Sequence, residues 1–277
     1  MQNRDLNNLL NKYGIKPVKH LGQNFLLDEA VLEKIIAAAD LSQNDIVLEI
    51  GPGLGILTFA LAKKAKQVVA VEKDKKFARI LNNELKIRNI KNVKIISADI
   101  LKIRDFLFPI HDTYKIVANL PYYITSPAIR MFLETKKKPE LLVFMIQKEV
   151  GQRICAKPPR MSLLSIMVQF YAEPEIVDYV GKKSFYPEPK VDSTIIKIIP
   201  KKNLPEINAE KFFQLVRAGF SAKRKFLINN LSKKLKTPNS KLKTIFEQIG
   251  IGQKLRAENL SVKNWIKLYE NIENYLE

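Results

Sequence analysis

The segment Asn119-Leu120-Pro121-Tyr122 carries groups that could hold and present a planar amine. It follows the apolar run Tyr114-Lys115-Ile116-Val117-Ala118, which is typical of a buried parallel strand. The Asn119 amide oxygen and the Leu120 carbonyl can both accept hydrogen bonds, because Pro121 has no N–H and favours an extended Leu120. Tyr122 adds a flat aromatic wall. The pattern indicates a pocket for an exocyclic amine at a strand's carboxyl end, although Asn-x-Pro is also common in ordinary turns.

A second group of residues has the spacing of a nucleotide site. Gly51-Pro52-Gly53-Leu54-Gly55 directly follows the apolar run Ile46–Ile50, and Glu72 ends the next run, 21 residues after Gly51. Glycines let a ligand approach the backbone, and an acid at this position accepts ribose hydroxyls. The third position of the dinucleotide fingerprint is Ile56 instead of Gly or Ala. Because a ligand without a pyrophosphate does not need that close helix approach, S-adenosylmethionine fits better than NAD.

Two further segments could complete this site. Asp99 follows the run Val93–Ile96, where it can accept the adenine amine of the same ligand or simply cap a helix. The aperiodic segment Leu21–Asp28 precedes the first strand, with Asp28 as the expected N-cap of the next helix. It could fold over the strand ends as a lid carrying Gln23, Asn24 and Leu26. For Gln23 and Asn24, ordinary capping and turn formation are the simpler roles.

Repeated alternation of strand and helix patterns predicts an α/β fold. We expect the doubly wound, Rossmann-like parallel sheet of class I S-adenosylmethionine-dependent methyltransferases, with a late hairpin-like pair over Glu175–Val180 and Ser193–Ile199. Beyond Lys201–Pro205 the apolar spacing is helical throughout. We therefore predict a flexible N-terminal segment over 1–20, a catalytic cofactor-binding domain over 21–200 and a small, basic, all-helical C-terminal domain over 205–277.

Composition narrows the class of protein. The 277 residues are 46% hydrophobic, and no run approaches the roughly 18 apolar residues of a membrane span. The first residues are polar and lack the apolar stretch of a signal peptide, so we expect a cytoplasmic protein. The single cysteine, Cys155, excludes an intrachain disulfide and a thiolate metal cluster. His20 and His111 are the only histidines, and we predict no metal site.

The net charge of +19 favours a polyanionic partner, and nucleic acid ranks above membrane. Residues 201–277 contain 16 Lys or Arg and 7 Asp or Glu, so nearly half of the excess lies in the predicted helical domain. A simpler explanation of the same positive charge is that lysines are spread over solvent-exposed faces without binding a partner. The loop Ser184–Ser193, which is stiffened by prolines, presents aromatic side chains beside Lys190.

Five segments stand in an order that resembles a known family. They are Gly22–Leu26, Glu49–Gly55, Asn119–Tyr122, Phe185–Ser193 and Phe220–Lys225. Together they look like the KsgA/RsmA family of small-subunit rRNA adenine N6,N6-dimethyltransferases, from about residue 16 to the final helix. Ala222 stands where many relatives have Gln, and Lys223 stands where Arg is usual. Lys223 keeps the charge without the paired donors of an arginine.

The resemblance implies roles for individual residues. It implies cofactor contacts at Gln23, Asn24, Leu26, Gly51, Gly53, Glu72, Asp99 and Asn119. It implies a catalytic turn of Asn119, Leu120, Pro121 and Tyr122, with Tyr122 and Phe185 as the walls that hold the target adenine. It implies rRNA contacts at Lys190, Lys223, Arg224 and Lys225.

The resemblance also implies the reaction. Methyl groups from S-adenosylmethionine would pass to two adjacent adenosines of 16S rRNA, within a small ribosomal subunit or its precursor, and we expect a monomer. Two acceptors on the amine would aim its lone pair at the sulfonium methyl, so no strong base is required. Three alternatives remain: a macrolide-resistance 23S rRNA adenine N6-methyltransferase, a non-catalytic ribosome-assembly factor, and a DNA or small-molecule methyltransferase. The basic helical tail and the lack of Asp-Pro-Pro-Tyr count against a DNA enzyme.

Overall fold

The computed structural model describes residues 3–15, 17, 24–103 and 113–273 of the chain. The chain folds into two compact units. The first comprises Met1–Gly151 and Glu173–Pro200, and the second comprises Gln152–Ala172 and Lys201–Glu277. The first unit is built on a large sheet, and the second is helical.

The strands are β1 (Phe25–Leu26), β2 (Ile46–Ile50), β3 (Gln67–Glu72), β4 (Val93–Ser97), β5 (Lys115–Asn119), β6 (Leu141–Gln147), β7 (Ala172–Val180), β8 (Phe185–Tyr186) and β9 (Ser193–Pro200). Seven of them form one sheet in the order β4-β3-β2-β5-β6-β9-β7. Neighbours from β4 to β6 are parallel, and β9 is antiparallel to β6. The order reverses between β2 and β5, which is where open parallel sheets bind ligands. The predicted Rossmann-like sheet is confirmed, including the adjacency of β7 and β9.

The helices are α1 (Asn3–Lys12), α2 (Glu29–Ala39), α3 (Ile56–Ala62), α4 (Lys75–Ile87), α5 (Thr125–Glu134), α6 (Lys148–Ile154), α7 (Leu163–Tyr171), α8 (Ala209–Gly219), α9 (Leu227–Leu235), α10 (Asn239–Gln248) and α11 (Val262–Ile272). α2 begins at the predicted cap, because the Asp28 carboxylate accepts hydrogen bonds from the backbone N–H groups of Ala30 and Val31. In the sheet core Val47, Val117 and Val143 are completely buried. This core fixes the strand ends that form the site.

Residues 3–15 differ from the prediction of a flexible tail over 1–20, whereas residues 1–2, 16 and 18–20 of that range lie outside the described residues. Helix α1 occupies Asn3–Lys12, and the side chains of Leu9, Leu10 and Ile15 are buried. They belong to the same apolar cluster as Phe77 of α4. The prediction weighed the polarity of the first residues and overlooked a few apolar positions that are sufficient to pack one helix face.

The second unit begins earlier than the predicted boundary at 205, because residues 152–172 pack with the C-terminal helices. Phe170 of α7 stacks on Phe212 of α8 with ring centroids 4.7 Å apart, and it meets Phe213 edge to face at 5.3 Å. Phe212 also packs on Tyr269 of α11 at 6.0 Å. These buried rings form a core of their own. This core explains why α7 belongs to the helical unit, although strands of the sheet precede and follow α7 in the sequence.

Candidate active site

One cavity of about 330 Å³ lies at the carboxyl ends of β2, β3 and β5, beside the residues that follow β4. Its volume falls within the range of small-molecule sites. Its lining includes Asn24, Leu26, Gly51, Gly53, Glu72, Asp99, Asn119, Leu120, Pro121, Tyr122 and Phe185. The structure therefore brings together, around one cavity, the residues for which the sequence predicted cofactor binding or adenine binding. Gln23 lies outside the described residues, as do His20 and His111.

The glycine loop after β2 is shaped around Glu72. The Glu72 carboxylate accepts hydrogen bonds from the backbone N–H of Gly53 at 3.0 Å and of Asp74 at 2.8 Å. Burial raises the pKa of Glu72, although these two hydrogen bonds act in the opposite direction. Gly53 has φ +56°, and a β-carbon there would lie 3.4 Å from the Phe25 ring. Any side chain at Gly55 would overlap Leu81, so Gly55 allows the loop to approach α4.

Asp99 combines the two roles considered for it, because it lines the cavity and caps a short helical turn. One carboxylate oxygen accepts from the backbone N–H of Leu101 at 3.1 Å, and the other lies 3.0 Å from the Lys73 ammonium. Burial alone would raise the pKa of Asp99, but the bonds to Lys73 and Leu101 outweigh it and hold the pKa below its ordinary value. Asp99 thus presents a charged acceptor at the cavity.

Asn119 is the last residue of β5, and its amide orientation is set by a residue 95 positions away in the chain. Its Nδ2 donates to the backbone carbonyl of Asn24 at 3.3 Å. Because the nitrogen is used there, Oδ1 is the atom that can accept a hydrogen bond from a ligand. Pro121 follows with φ −55° and ψ 131°, and a short helical turn begins at Tyr122. The turn holds an amide, a backbone carbonyl and a ring beside one another, as the sequence predicted.

Two aromatic side chains form walls of the cavity. The Tyr122 hydroxyl lies 3.0 Å from Ser193 Oγ, and Ser193 is 1% exposed. Burial raises the pKa of Tyr122. Phe185 is buried, and its strand β8 pairs antiparallel with β1, so that Phe185 lies opposite Leu26. This small sheet attaches the segment before α2 to the loop that carries Phe185.

Glu49 also lines the cavity and was not predicted as a site residue. It is 1% exposed, and among the described residues its Oε2 has no hydrogen-bond partner. Burial, with a smaller contribution from the nearby Glu72 carboxylate, raises the pKa of Glu49 to about 8. The sequence did contain a signal for Glu49, because it places a carboxyl within the otherwise apolar run Ile46–Ile50. Burying an acid in a strand costs free energy, and such residues occur mainly at functional sites.

The basic residues predicted to contact RNA are exposed in both units. Lys190 precedes β9 in the first unit, and Lys223, Arg224 and Lys225 form a turn before α9 in the second. Buried Asn230 donates through Nδ2 to the carbonyls of Gly219 at 2.6 Å and Ala222 at 3.0 Å, which fixes the backbone of that turn. Within the part of the chain that the structure describes, no helix has the length and apolar character needed to cross a membrane.

Comparison with known proteins identifies the family. The family model described as ribosomal RNA adenine dimethylase matches residues 15–274. The ribosomal RNA small subunit methyltransferase A of Dehalococcoides mccartyi is 45% identical over 263 residues, which are 94% of this chain and 90% of the relative. A dimethyladenosine transferase from Plasmodium falciparum has a similar structure, with 29% identity, a TM-score of 0.79 and coverage of 91% of this chain and 98% of that one. The 23S rRNA methyltransferase ErmE has 28% identity, a TM-score of 0.74 and coverage of 90% and 100%. The chain belongs to the ribosomal RNA adenine dimethylase family.

Proposed function

We propose that this protein transfers methyl groups from S-adenosylmethionine to the N6 amines of adenosines in 16S rRNA and forms N6,N6-dimethyladenosine. The observation that carries the proposal is that the Asn119 turn and the carboxylates of Glu72 and Asp99 line one cavity. A relative that is 45% identical bears the name small subunit methyltransferase A, whereas ErmE is 28% identical. This difference favours small-subunit rRNA over 23S rRNA as the substrate.

The residues at the strand ends fit S-adenosylmethionine, whose sulfonium supplies an electrophilic methyl carbon. Glu72 keeps lone pairs beyond its two backbone bonds, and these accept the ribose hydroxyls. Asp99 accepts the adenine amine. The buried carboxyl of Glu49, whose Oε2 has no hydrogen-bond partner among the described residues, also lines the cavity, but with a pKa of about 8 it is mostly protonated at neutral pH and adds no charge. The carboxylates of Glu72 and Asp99 suit a ligand that carries a sulfonium and an ammonium. Asn24, Leu26, Gly51 and Gly53 complete the cofactor wall.

The Asn119 turn holds the target amine. Asn119 Oδ1 and the Leu120 carbonyl accept its two hydrogens, which pushes the nitrogen toward a tetrahedral shape. Bound S-adenosylmethionine would supply the methyl carbon, to which the nitrogen lone pair would bond as the carbon–sulfur bond breaks and its electron pair returns to sulfur. The positively charged nitrogen would then release its extra proton to solvent. Because that proton is acidic, positioning of the amine does most of the work, and positioning can supply up to about 7–11 kcal/mol.

Aromatic stacking holds the target base in the cavity. The adenine must leave its stack in the RNA, at a cost of roughly a few kcal/mol. Stacking on Tyr122 and Phe185, at about 1–3 kcal/mol per base, offsets this cost. The Tyr122 ring is held in place by the hydrogen bond between the Tyr122 hydroxyl and buried Ser193.

Exposed cations bind the RNA backbone. Lys223, Arg224 and Lys225 form a turn whose backbone is fixed by Asn230, and exposed Phe226 follows them. Cations that bind phosphates position an RNA without reading its sequence, so the site would be chosen by the shape of the folded rRNA in a small subunit or its precursor.

The test is transfer of tritiated methyl groups to purified small-subunit particles and, in parallel, to naked large-subunit rRNA. We expect labelled dimethyladenosine on the small-subunit particles, and loss of the label with Asn119→Ala. Label on large-subunit RNA would instead assign the protein to the macrolide-resistance enzymes. No transfer to either RNA, with RNA binding intact, would favour a non-catalytic assembly factor.

A further inference from the structure

The buried carboxylate of Glu84, on α4, does not line the cavity and has no part in the proposed chemistry. Glu84 is 3% exposed. Lys12 Nζ and the Tyr13 hydroxyl each donate to its Oε1 at 2.7 Å, and Arg88 Nε donates to its Oε2 at 3.4 Å. The Lys12 ammonium also lies 4.9 Å from the centre of the Tyr13 ring. Because a buried carboxylate is costly unless it is paired, these bonds fix the end of α1 on α4.

An apolar cluster continues from this anchor to the cavity. Leu9, Leu10 and Ile15 are buried in it together with Phe25, Leu54, Phe77 and Ile80. Phe25 meets Phe77 edge to face, with ring centroids 5.8 Å apart. Phe25, Leu54 and Phe77 also line the cavity. The same side chains therefore belong both to the cluster that holds α1 and to the wall of the cofactor site.

Phe25 links this cluster to the reacting groups in two ways. A β-carbon at Gly53 would lie 3.4 Å from the Phe25 ring, so the ring supports the glycine loop. Asn24, which directly precedes Phe25, accepts the hydrogen bond that orients the Asn119 amide. A shift of Phe25 would therefore alter the cofactor wall and the acceptor that orients Asn119.

We infer that Glu84 is a positioning residue for the cofactor site: it docks the N-terminal helix, and the docked helix holds Phe25 and Asn24 in the arrangement that binds the cofactor. The inference rests on the proposed function for the identity of the ligand. Undocking α1 leaves the sheet intact but lowers the fraction of molecules that are competent to bind. The apparent affinity then falls by that fraction.

The experiment uses the full chain, with S-adenosylhomocysteine binding measured by calorimetry and hydrogen exchange measured over α1. Glu84→Gln removes the negative charge and puts an NH2 group, which cannot accept a hydrogen bond, in place of one of the two carboxylate oxygens that accept from Lys12, Tyr13 and Arg88. We expect Kd to rise about tenfold, exchange in α1 to increase, and KM for S-adenosylmethionine to change more than kcat. Tyr13→Phe removes one donor and shifts Kd in the same direction by less. The control is Arg130→Met, which removes an exposed ion pair with Glu134 and leaves Kd unchanged.

An unchanged Kd in Glu84→Gln while exchange in α1 increases would overturn the inference, because the undocked helix would then have no effect on the site. Unchanged exchange would overturn the docking role itself. If Glu84→Gln does not fold, Tyr13→Phe and Lys12→Met replace it in the same two measurements. Faster exchange in α1 with an unchanged Kd in both variants would again contradict the inference. Failure of the unaltered chain to bind S-adenosylhomocysteine would contradict the proposed function instead.

Discussion

The two sides of the cavity use different chemistry. In the proposed function, the carboxyl groups of Glu49, Glu72 and Asp99 face the cofactor, whereas the Asn119 amide, a backbone carbonyl and aromatic rings hold the adenine; these residues all line the cavity. Burial raises the pKa of Tyr122, so its phenol stays neutral, like the amide and the backbone carbonyl beside it. The carboxylates of Glu72 and Asp99 favour a cationic methyl donor, and neutral acceptors orient an uncharged amine without competing for that donor. In the proposed mechanism, the catalytic power therefore comes from placing two ligands correctly rather than from an acid or a base.

The largest effect should come from removing the amide on the adenine side. Asn119→Ala deletes one of the two acceptors proposed for the target amine, so we expect kcat to fall by about 10²–10³, as for the loss of one preorganised hydrogen bond at a reacting centre. Binding of S-adenosylhomocysteine should weaken by less than about tenfold, the effect of one ordinary hydrogen bond. Single-turnover methyl transfer and calorimetry measure the two quantities. A larger loss in cofactor affinity than in kcat would contradict the division between the two sides.

The opposite pattern is expected on the cofactor side. Glu72→Gln removes a charged acceptor that is held by two backbone bonds. The cofactor Kd should rise about 10- to 100-fold, the range for hydrogen bonds to charged groups, while kcat at saturating cofactor changes little. Glu134→Gln, on the exposed face of α5, is the matched control and should leave Kd unchanged. A fall in kcat with Kd unchanged would mean that Glu72 acts on the reaction and not on binding.

Neutralising the basic turn tests whether RNA docking is separate from both sides of the cavity. Replacing Lys223, Arg224 and Lys225 by Met should raise KM for the rRNA substrate about tenfold. It should also reduce the slope of log K against log salt by about 0.7 for each phosphate that is no longer neutralised. The cofactor Kd should be unchanged. The control is Lys34→Met, which removes a surface partner of Asp178 in the first unit. An unaltered salt slope would exclude these cations from RNA binding.

Glu49 should make the stability of the cofactor-free protein depend on pH. Its pKa is raised from 4.5 to about 8, so between these values the unfolded chain has lost a proton that the folded chain keeps. The free energy of unfolding therefore falls as pH rises through this window, and the contribution of Glu49 is fully present only below about 4.5. Glu49→Gln should flatten the curve of Tm between pH 5 and 8. Parallel curves for the variant and the unaltered chain would contradict the raised pKa.

The sheet and the cavity could be predicted from the sequence because their signals are local. Apolar runs, the glycines after β2 and the polar residues at strand ends are each contained in a few consecutive positions, and parallel strands bring those ends together. The hydrogen bonds that orient the site join distant positions. The Tyr13 hydroxyl bonds to Glu84, and the Tyr122 hydroxyl bonds to Ser193, in each case across 71 residues of sequence. A periodic sequence pattern cannot predict either hydrogen bond. The placement of α7 in the helical unit likewise depends on the stacking of Phe170 with Phe212.

The smallest effect should come from Ser193, which acts on the adenine side only through Tyr122. Ser193→Ala removes the hydrogen bond of 3.0 Å that the structure gives the Tyr122 hydroxyl, and the buried phenol then loses about 1 kcal/mol of support for one orientation. KM for rRNA should rise about twofold to fivefold, and the cofactor Kd should stay unchanged. Ser193→Thr keeps the hydroxyl and should restore most of the loss, which a simple packing defect would not do. Tyr122→Phe should match Ser193→Ala, because both variants remove the same hydrogen bond and leave the stacking ring in place.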